Sequence, residues 1–214
     1  TNSNEKLLVK KAILIEKAKF LYKEHQFSKG IQLLLNQEKL DAKIDSSDLE
    51  FSLKLLLGDF YLKQKDFVSA ENYYKAAYLI TSNQKNPNLY QKVFALTGLA
   101  DLCFFRKEHN QGLLILKEAL LYSQNLQNIY LQEMIVRQLN VNYLAINDTL
   151  NYKIFNANFI QLQSKIEIVE QESVNTAFNL ISKQYVGNYD GEISKYEKFL
   201  TNILLFIILL VIVF

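Results

Sequence analysis

Apolar positions between residues 50 and 80 recur every three to four residues, which predicts two amphipathic helices. A polar stretch at 64–66 separates them, so the two helices, each of about 14 residues, form a hairpin. Gly58 in the first helix and Ala70 in the second are expected to face one another, because small side chains let two backbones approach closely. Larger apolar residues fill the space around this crossing: Leu57, Tyr61, Phe67, Tyr74 and Ala77.

The same spacing recurs on both sides of this hairpin, which predicts stacked copies of it. Gly30 and Gly112 stand where Ala70 does, so the crossings fall at positions 30, 70 and 112 with a nearly constant interval. The other equivalent positions are Ala18, Leu21, Phe27 and Leu34 upstream, and Leu99, Ala100, Cys103, His109, Leu116 and Ala119 downstream. A fourth copy fits less well: Leu139, Tyr143 and Tyr152 can be placed, but Asn140 and Asn156 fit poorly. We interpret it as a degenerate terminal repeat, as helical arrays commonly have.

The hairpin at 57–77 resembles the tetratricopeptide repeat (TPR), and the resemblance covers roughly residues 7 to 163. The residues that carry it are Leu57, Gly58, Tyr61, Phe67, Ala70, Tyr74 and Ala77. The chain departs from the family pattern in three ways: Lys54 replaces a tryptophan-type residue, the closing proline is absent, and the period exceeds about 34 residues. Polar loops at 41–48 and 82–88 are expected between hairpins. The resemblance implies an all-α fold, a TPR-like α-solenoid of about four antiparallel helix pairs.

The C-terminal end has a different composition. No charged residue follows Lys198, and the run from Ile203 to Phe214 is entirely apolar. A membrane-spanning helix needs about 20 such residues. The stretch from Phe199 to Phe214 falls short of that length, so we expect a transmembrane helix that continues past the given sequence. A short tail anchor and a buried core helix are the alternatives.

These patterns divide the chain into three segments. Residues 1–163 form the repeats, 164–190 a capping or linker helix, and 191–214 a helix that enters the membrane. Apolar residues at steps of three to five predict that the second segment is amphipathic. The glycines of GNYDG at 187–191 are expected to end its helix.

Composition gives little sign of catalysis. With 24 basic and 22 acidic residues, the net charge of +2 provides no basic surface for nucleic acid. The single cysteine, Cys103, excludes an intrachain disulfide and a multi-cysteine metal site, and it occupies an apolar packing position. His25 lies in a turn, His109 lies at a packing position, and 147–149 looks like a helix boundary. We therefore predict no enzyme, no cofactor and no metal site.

The resemblance implies a concave surface, lined by the first helix of each pair, that binds a protein or peptide. The partner-binding residues it indicates are Lys19, Tyr22, Asp59, Leu62, Asp101, Phe104 and Arg137. Two of them, Asp59 and Asp101, are acidic, which argues against a clamp for a ligand carboxylate. The alternative is that these positions are ordinary solvated surface.

Two hypotheses of function follow. In the first, the chain resembles the periplasmic sensory region of single-span regulators of the Bacteroidota, which continue into a helix-turn-helix or histidine-kinase domain. Ligand binding, with a homodimer left open, would then be transmitted across the membrane. In the second, the chain is a tail-anchored adaptor that faces the cytosol and docks partner proteins at a membrane. Charge on one flank of the span does not decide between these orientations.

Overall fold

The computed structural model describes the backbone of residues 2–40, 47–82 and 87–213, and the side chains within these ranges except 2–4, 37–40, 186–193 and 203–213. In these ranges the protein is all-α. Its eight helices are α1 (Asn2–Lys23), α2 (Phe27–Leu40), α3 (Ser47–Lys63), α4 (Phe67–Ser82), α5 (Leu89–Phe105), α6 (His109–Asn125), α7 (Ile129–Ala145) and α8 (Thr149–Val213).

The chain forms two compact units, Thr1–Gln163 and Ser164–Phe214. This division falls where the sequence analysis ends the repeats. The first unit contains α1 to α7 and the beginning of α8. Its helices form successive hairpins, each in contact with the next. The two predicted loops lie between α2 and α3 and between α4 and α5, and residues 41–46 and 83–86 are outside the described part of the chain.

Each hairpin has a short turn with one residue at positive φ. These residues are His25, Lys65, Lys107 and Asn147. In the second hairpin, the Lys65 amide donates to the Leu62 carbonyl and the Asp66 amide to the Tyr61 carbonyl, both at 3.0 Å. This is the Schellman pattern that ends many helices. The four turns keep the interval of the small-residue crossings, so the predicted period is confirmed and continues into the fourth hairpin.

Side-chain caps begin several of the helices, among them α4, α7 and α8. Asp66 accepts the Ser69 amide at 3.1 Å, and Asp148 accepts the Asn151 amide at 3.0 Å. Asn128 caps α7 in the same way through the Leu131 amide at 3.0 Å. Such caps satisfy amides that the first helical turn leaves without partners. The predicted helix boundary at 147–149 is therefore confirmed.

Apolar residues of consecutive hairpins form a continuous core through the first unit. The cluster around Leu57 and Phe60 joins α1, α2 and α3, and the cluster around Ile135 and Leu139 joins α5, α6 and α7. Smaller clusters with Tyr74 and Ala77 connect α3, α4 and α5. The small residues predicted at the three crossings, Gly30, Ala70 and Gly112, are all buried, as stacking requires.

The closest contact at Gly58 differs from the expected one. A Cβ on Gly58 would lie 2.6 Å from ring carbons of Tyr74, one helical turn beyond Ala70, and a Cβ on Gly98 would lie 2.6 Å from the same ring. Tyr74 is fully buried. Its ring therefore occupies the space that two glycines leave open, one on α3 and one on α5, and it joins the second hairpin to the third.

The fourth hairpin keeps the repeat pattern, but its packing is less favourable. Tyr143 of α7 stacks on Phe155 of α8 with ring centroids 5.3 Å apart. Asn140, at the position where the preceding copies have Gly58 and Ala100, is only 7% exposed. Its Oδ1 has no hydrogen-bond partner within the described structure, which is an unfavourable arrangement for a buried acceptor. The poor fit noted in the sequence thus has a physical counterpart.

The expected helix end at 187–191 is wrong, because α8 is one helix from Thr149 to Val213. A glycine within a helix costs only about 1 kcal/mol relative to alanine, and the segment contains no proline. Among the described residues, no helix has the length and apolarity needed to cross a membrane. Most of the predicted span, 203–214, lies outside the described side chains.

The contact of Tyr74 with Gly98 can be tested by substitution. Gly98→Ala should destabilise the fold by about 1–2 kcal/mol, since overpacking outweighs the gain in helix propensity. Gly112→Ala is the matched control, because its Cβ would meet its nearest neighbours at 3.4 Å. We expect Gly112→Ala to be neutral or stabilising by up to about 1 kcal/mol. Urea unfolding measures both, and equal effects would contradict this account of Tyr74.

Candidate functional site

The odd-numbered helices form one face of the first unit, which we call the odd-helix face. Helix α3 contacts both α1 and α5 directly. A hydrogen bond of 2.9 Å from Gln138 Nε2 to Asp101 Oδ1 connects α7 to α5. Each of these helices therefore contributes to a single surface.

Asp59 of α3 lies on this face, and a hydrogen bond from α4 fixes its side chain. The Tyr74 hydroxyl donates to Asp59 Oδ1 at 2.7 Å. The pKa of Asp59 is raised to about 6, chiefly by burial and also by the nearby Asp101 carboxylate, although the Tyr74 hydrogen bond and the charge of Lys63 oppose the rise. Asp59 is thus a half-buried carboxylate with a fixed orientation.

Asp101 of α5 is in a similar environment. Burial raises its pKa to about 6, opposed by the charge of Lys63. The pKa of Tyr22 on α1 rises to about 12, through burial first and then through the charges of Asp59 and Asp101. These effects on the pKa values show that Tyr22, Asp59 and Asp101 lie close enough to interact electrostatically. We call the two carboxylates the Asp59–Asp101 pair.

A cavity of about 310 Å³ lies beside Asp101. Residues from α3, α5 and α7 line it: Lys63, Asp101, Phe104, Phe105, Arg137, Gln138, Val141 and Asn142. Arg137 is paired within α7, since its Nη2 lies 2.9 Å and 2.7 Å from the two carboxylate oxygens of Glu133. The Lys63 ammonium lies 5.9 Å from the centroid of the Phe105 ring. The cavity therefore combines aromatic walls with polar groups, as binding pockets commonly do.

The seven residues predicted to bind a partner are placed differently from one another. Asp101, Phe104 and Arg137 line the cavity, and Tyr22 and Asp59 belong to the adjoining charged group. Leu62 is 6% exposed and packs in the core with Ala70, Tyr74 and Leu102, so it offers almost no surface to a ligand. Lys19 is exposed and pairs with Glu16 on its own helix at 2.6 Å. Partner binding by these residues stays a prediction.

Several residues of this site were not predicted from the sequence, among them three next to the two carboxylates. Lys63 and Gln138 lie beside the Asp59–Asp101 pair, and Tyr74 supports it from α4. Tyr74 was assigned to packing alone, although a buried tyrosine hydroxyl normally needs a partner. Asp59, which follows Gly58 in the sequence, is that partner, and its presence there could have indicated the hydrogen bond.

Cys103 and His109 take the packing positions expected of them. Cys103 is buried, and burial raises the pKa of its thiol. The His109 ring meets the edge of Phe104 at 5.3 Å, and its Nδ1 lies 3.1 Å from Asn142 Oδ1. Within the described ranges, no group of three or more His, Cys, Asp or Glu residues is placed to hold a metal ion.

The comparisons with known proteins concern the fold. No protein-family profile and no curated protein matches the chain. The crystal structure of BtubC (BKLC) from P. vanneervenii is similar, with a TM-score of 0.67 and 15% sequence identity over 73% of this chain. The chain spans 64% of that BtubC chain. This similarity to a helical-repeat protein supports an all-α helical-repeat fold.

The raised pKa of Asp59 predicts a pH-dependent stability. A carboxyl group whose pKa is higher in the folded than in the unfolded chain binds more protons when folded, so its contribution to stability increases as pH falls through about 6 and levels off below its ordinary pKa of 3.8. Asp59→Asn removes the charge and keeps an acceptor for Tyr74. We expect it to stabilise the fold by about 1–2 kcal/mol at pH 7.5 and by less at pH 5.

The matched control is Asp66→Asn. Hydrogen bonds from Ser69 lower the pKa of Asp66, so its contribution is present at neutral pH and disappears in acid. Asp66→Asn should therefore change stability in the opposite direction. Urea unfolding at pH 5, 6 and 7.5 measures both variants, and a loss of stability in Asp59→Asn that is independent of pH would contradict the assignment.

Proposed function

We propose that the chain is a TPR-like scaffold that binds a protein or peptide on the odd-helix face, its concave surface, and that it is attached to a membrane through Phe199 to Phe214. Its role is that of the sensory region of a single-span bacterial signalling or transcriptional regulator. In this proposal the repeats face the periplasm.

The observation that carries the binding proposal is the cavity beside Asp101. Side chains of α3, α5 and α7 line it together, so a ligand there would contact three successive hairpins at once. Its volume of about 310 Å³ is at the lower end of the usual range for binding pockets. A pocket of this size can hold one or two side chains of an extended or helical peptide.

Membrane attachment and the sensory role are proposed from the sequence. The stretch from Phe199 to Phe214 contains no charged residue, and a helix of this composition is unstable in water unless membrane or protein covers it. Binding at the repeats could influence an output domain only if the ligand prefers one of two conformations.

Peptide binding can be tested with a random dodecapeptide phage library panned over the purified chain. We expect enriched peptides that bind at least tenfold more weakly to Val141→Trp, because the larger side chain fills the cavity at the exposed Val141. Leu114→Trp, at an exposed position on α6, is the matched control and should bind normally. A library without enriched peptides, or equal effects of the two variants, would contradict the proposed function.

Orientation can be tested by fusing green fluorescent protein or alkaline phosphatase after Phe214 in a bacterial host. The sensory role predicts a fluorescent fusion, an inactive phosphatase, and repeats that protease digests in spheroplasts. Leu205→Lys with Leu209→Lys should release the chain from membranes, since a lysine within a span costs about 3 kcal/mol. Repeats protected in spheroplasts would favour the cytosolic adaptor instead.

A further inference from the structure

We propose that the Asp59–Asp101 pair is the subsite for a cationic side chain, so that the peptide bound on the odd-helix face carries a lysine or arginine there. This inference rests on the proposed function and specifies the chemistry of its ligand.

The charges of the two carboxylates are only partly compensated. Among the described residues, neither Asp59 nor Asp101 forms an ion pair, although Glu71 and Glu133 do, with Arg106 and Arg137. The two carboxylates are partly removed from water, and each raises the pKa of groups around it. A buried charge without a counterion is unfavourable. Lys63 offsets this charge only in part, so a ligand cation would supply a further counterion, whereas a ligand carboxylate would add a third negative charge.

An unsatisfied hydrogen-bond acceptor lies next to Asp101. Gln138 donates its Nε2 to Asp101 Oδ1 at 2.9 Å, which fixes the orientation of the amide, because the reverse orientation would place oxygen against oxygen. Gln138 Oε1 is buried and has no partner within the described structure. Gln138 also lines the cavity. The carboxylate and amide oxygens are all hydrogen-bond acceptors. A ligand with several N–H donors, as lysine and arginine have, would therefore satisfy them.

The surroundings of the pair suit a long cationic side chain. The cavity beside Asp101 has a volume of about 310 Å³ and aromatic walls formed by Phe104 and Phe105, against which the methylenes of a long cationic side chain can pack. The positive charges nearby do not cancel the pair. Arg137 is engaged by Glu133 at 2.7 Å, and exposed Lys63 supplies one positive charge against two negative ones.

The test uses dodecapeptides enriched from the phage library on the whole chain, synthesised and titrated by fluorescence anisotropy at physiological salt. We expect enrichment of lysine or arginine, and at least about tenfold weaker binding when that residue is replaced by glutamine. Asp101→Asn and Asp59→Asn should each weaken binding to a similar degree. Asp66→Asn, the same substitution at an exposed helix cap, should not.

The outcomes separate the two proposals. Enriched peptides that are neutral or acidic would overturn the cationic subsite and leave peptide binding intact, and so would basic peptides that bind Asp101→Asn and Asp59→Asn normally. A library without enriched peptides would overturn peptide binding itself, and this inference with it. Circular dichroism of each variant confirms that the fold is retained before binding is compared.

Discussion

The insertion of Tyr74 between two glycines is the contact on which the middle of the repeat array depends. The ring fits only because Gly58 and Gly98 have no Cβ, which would lie 2.6 Å from it on either side. It joins α4 of the second hairpin to α5 of the third and is fully buried. Since its hydroxyl donates to Asp59 at 2.7 Å, the same residue that locks two hairpins together also positions a charged group of the candidate site.

The repeat geometry was predictable because it depends on small buried residues, which can be recognised in the sequence. Buried small residues at positions 30, 70 and 112 indicated the period, and the turns follow the same interval. The turn residues themselves were not predictable, because the left-handed conformation of Lys65 and Lys107 is one that glycine usually adopts and that costs other residues about 1–2 kcal/mol. The Schellman hydrogen bonds that end the preceding helices accompany this conformation at both residues.

The candidate site was only partly predictable for a related reason. Position in the repeat identified Asp59 and Asp101, since each follows a small or apolar packing residue at the same point of its hairpin. It could not identify Lys63 or Gln138, whose proximity to the pair depends on how neighbouring hairpins stack. Leu62 shows the reverse error: its place in the repeat suggested surface, but the adjoining hairpin buries it. Local periodicity assigns a residue to a face, and the stacking of hairpins decides how much of it remains accessible.

Burial links the stability of the array to what it can bind. In the free protein the Asp59–Asp101 pair has lost part of its hydration, and the raised pKa values of both groups reflect that cost. Lys63 offsets this cost only in part, so replacing either aspartate would stabilise the fold unless the charge has a use outside folding. A cation on a bound partner would give the two carboxylates the favourable interactions that they lack in the free protein. Their desolvation cost would then be offset only on binding, and this gain would contribute to the affinity of the complex.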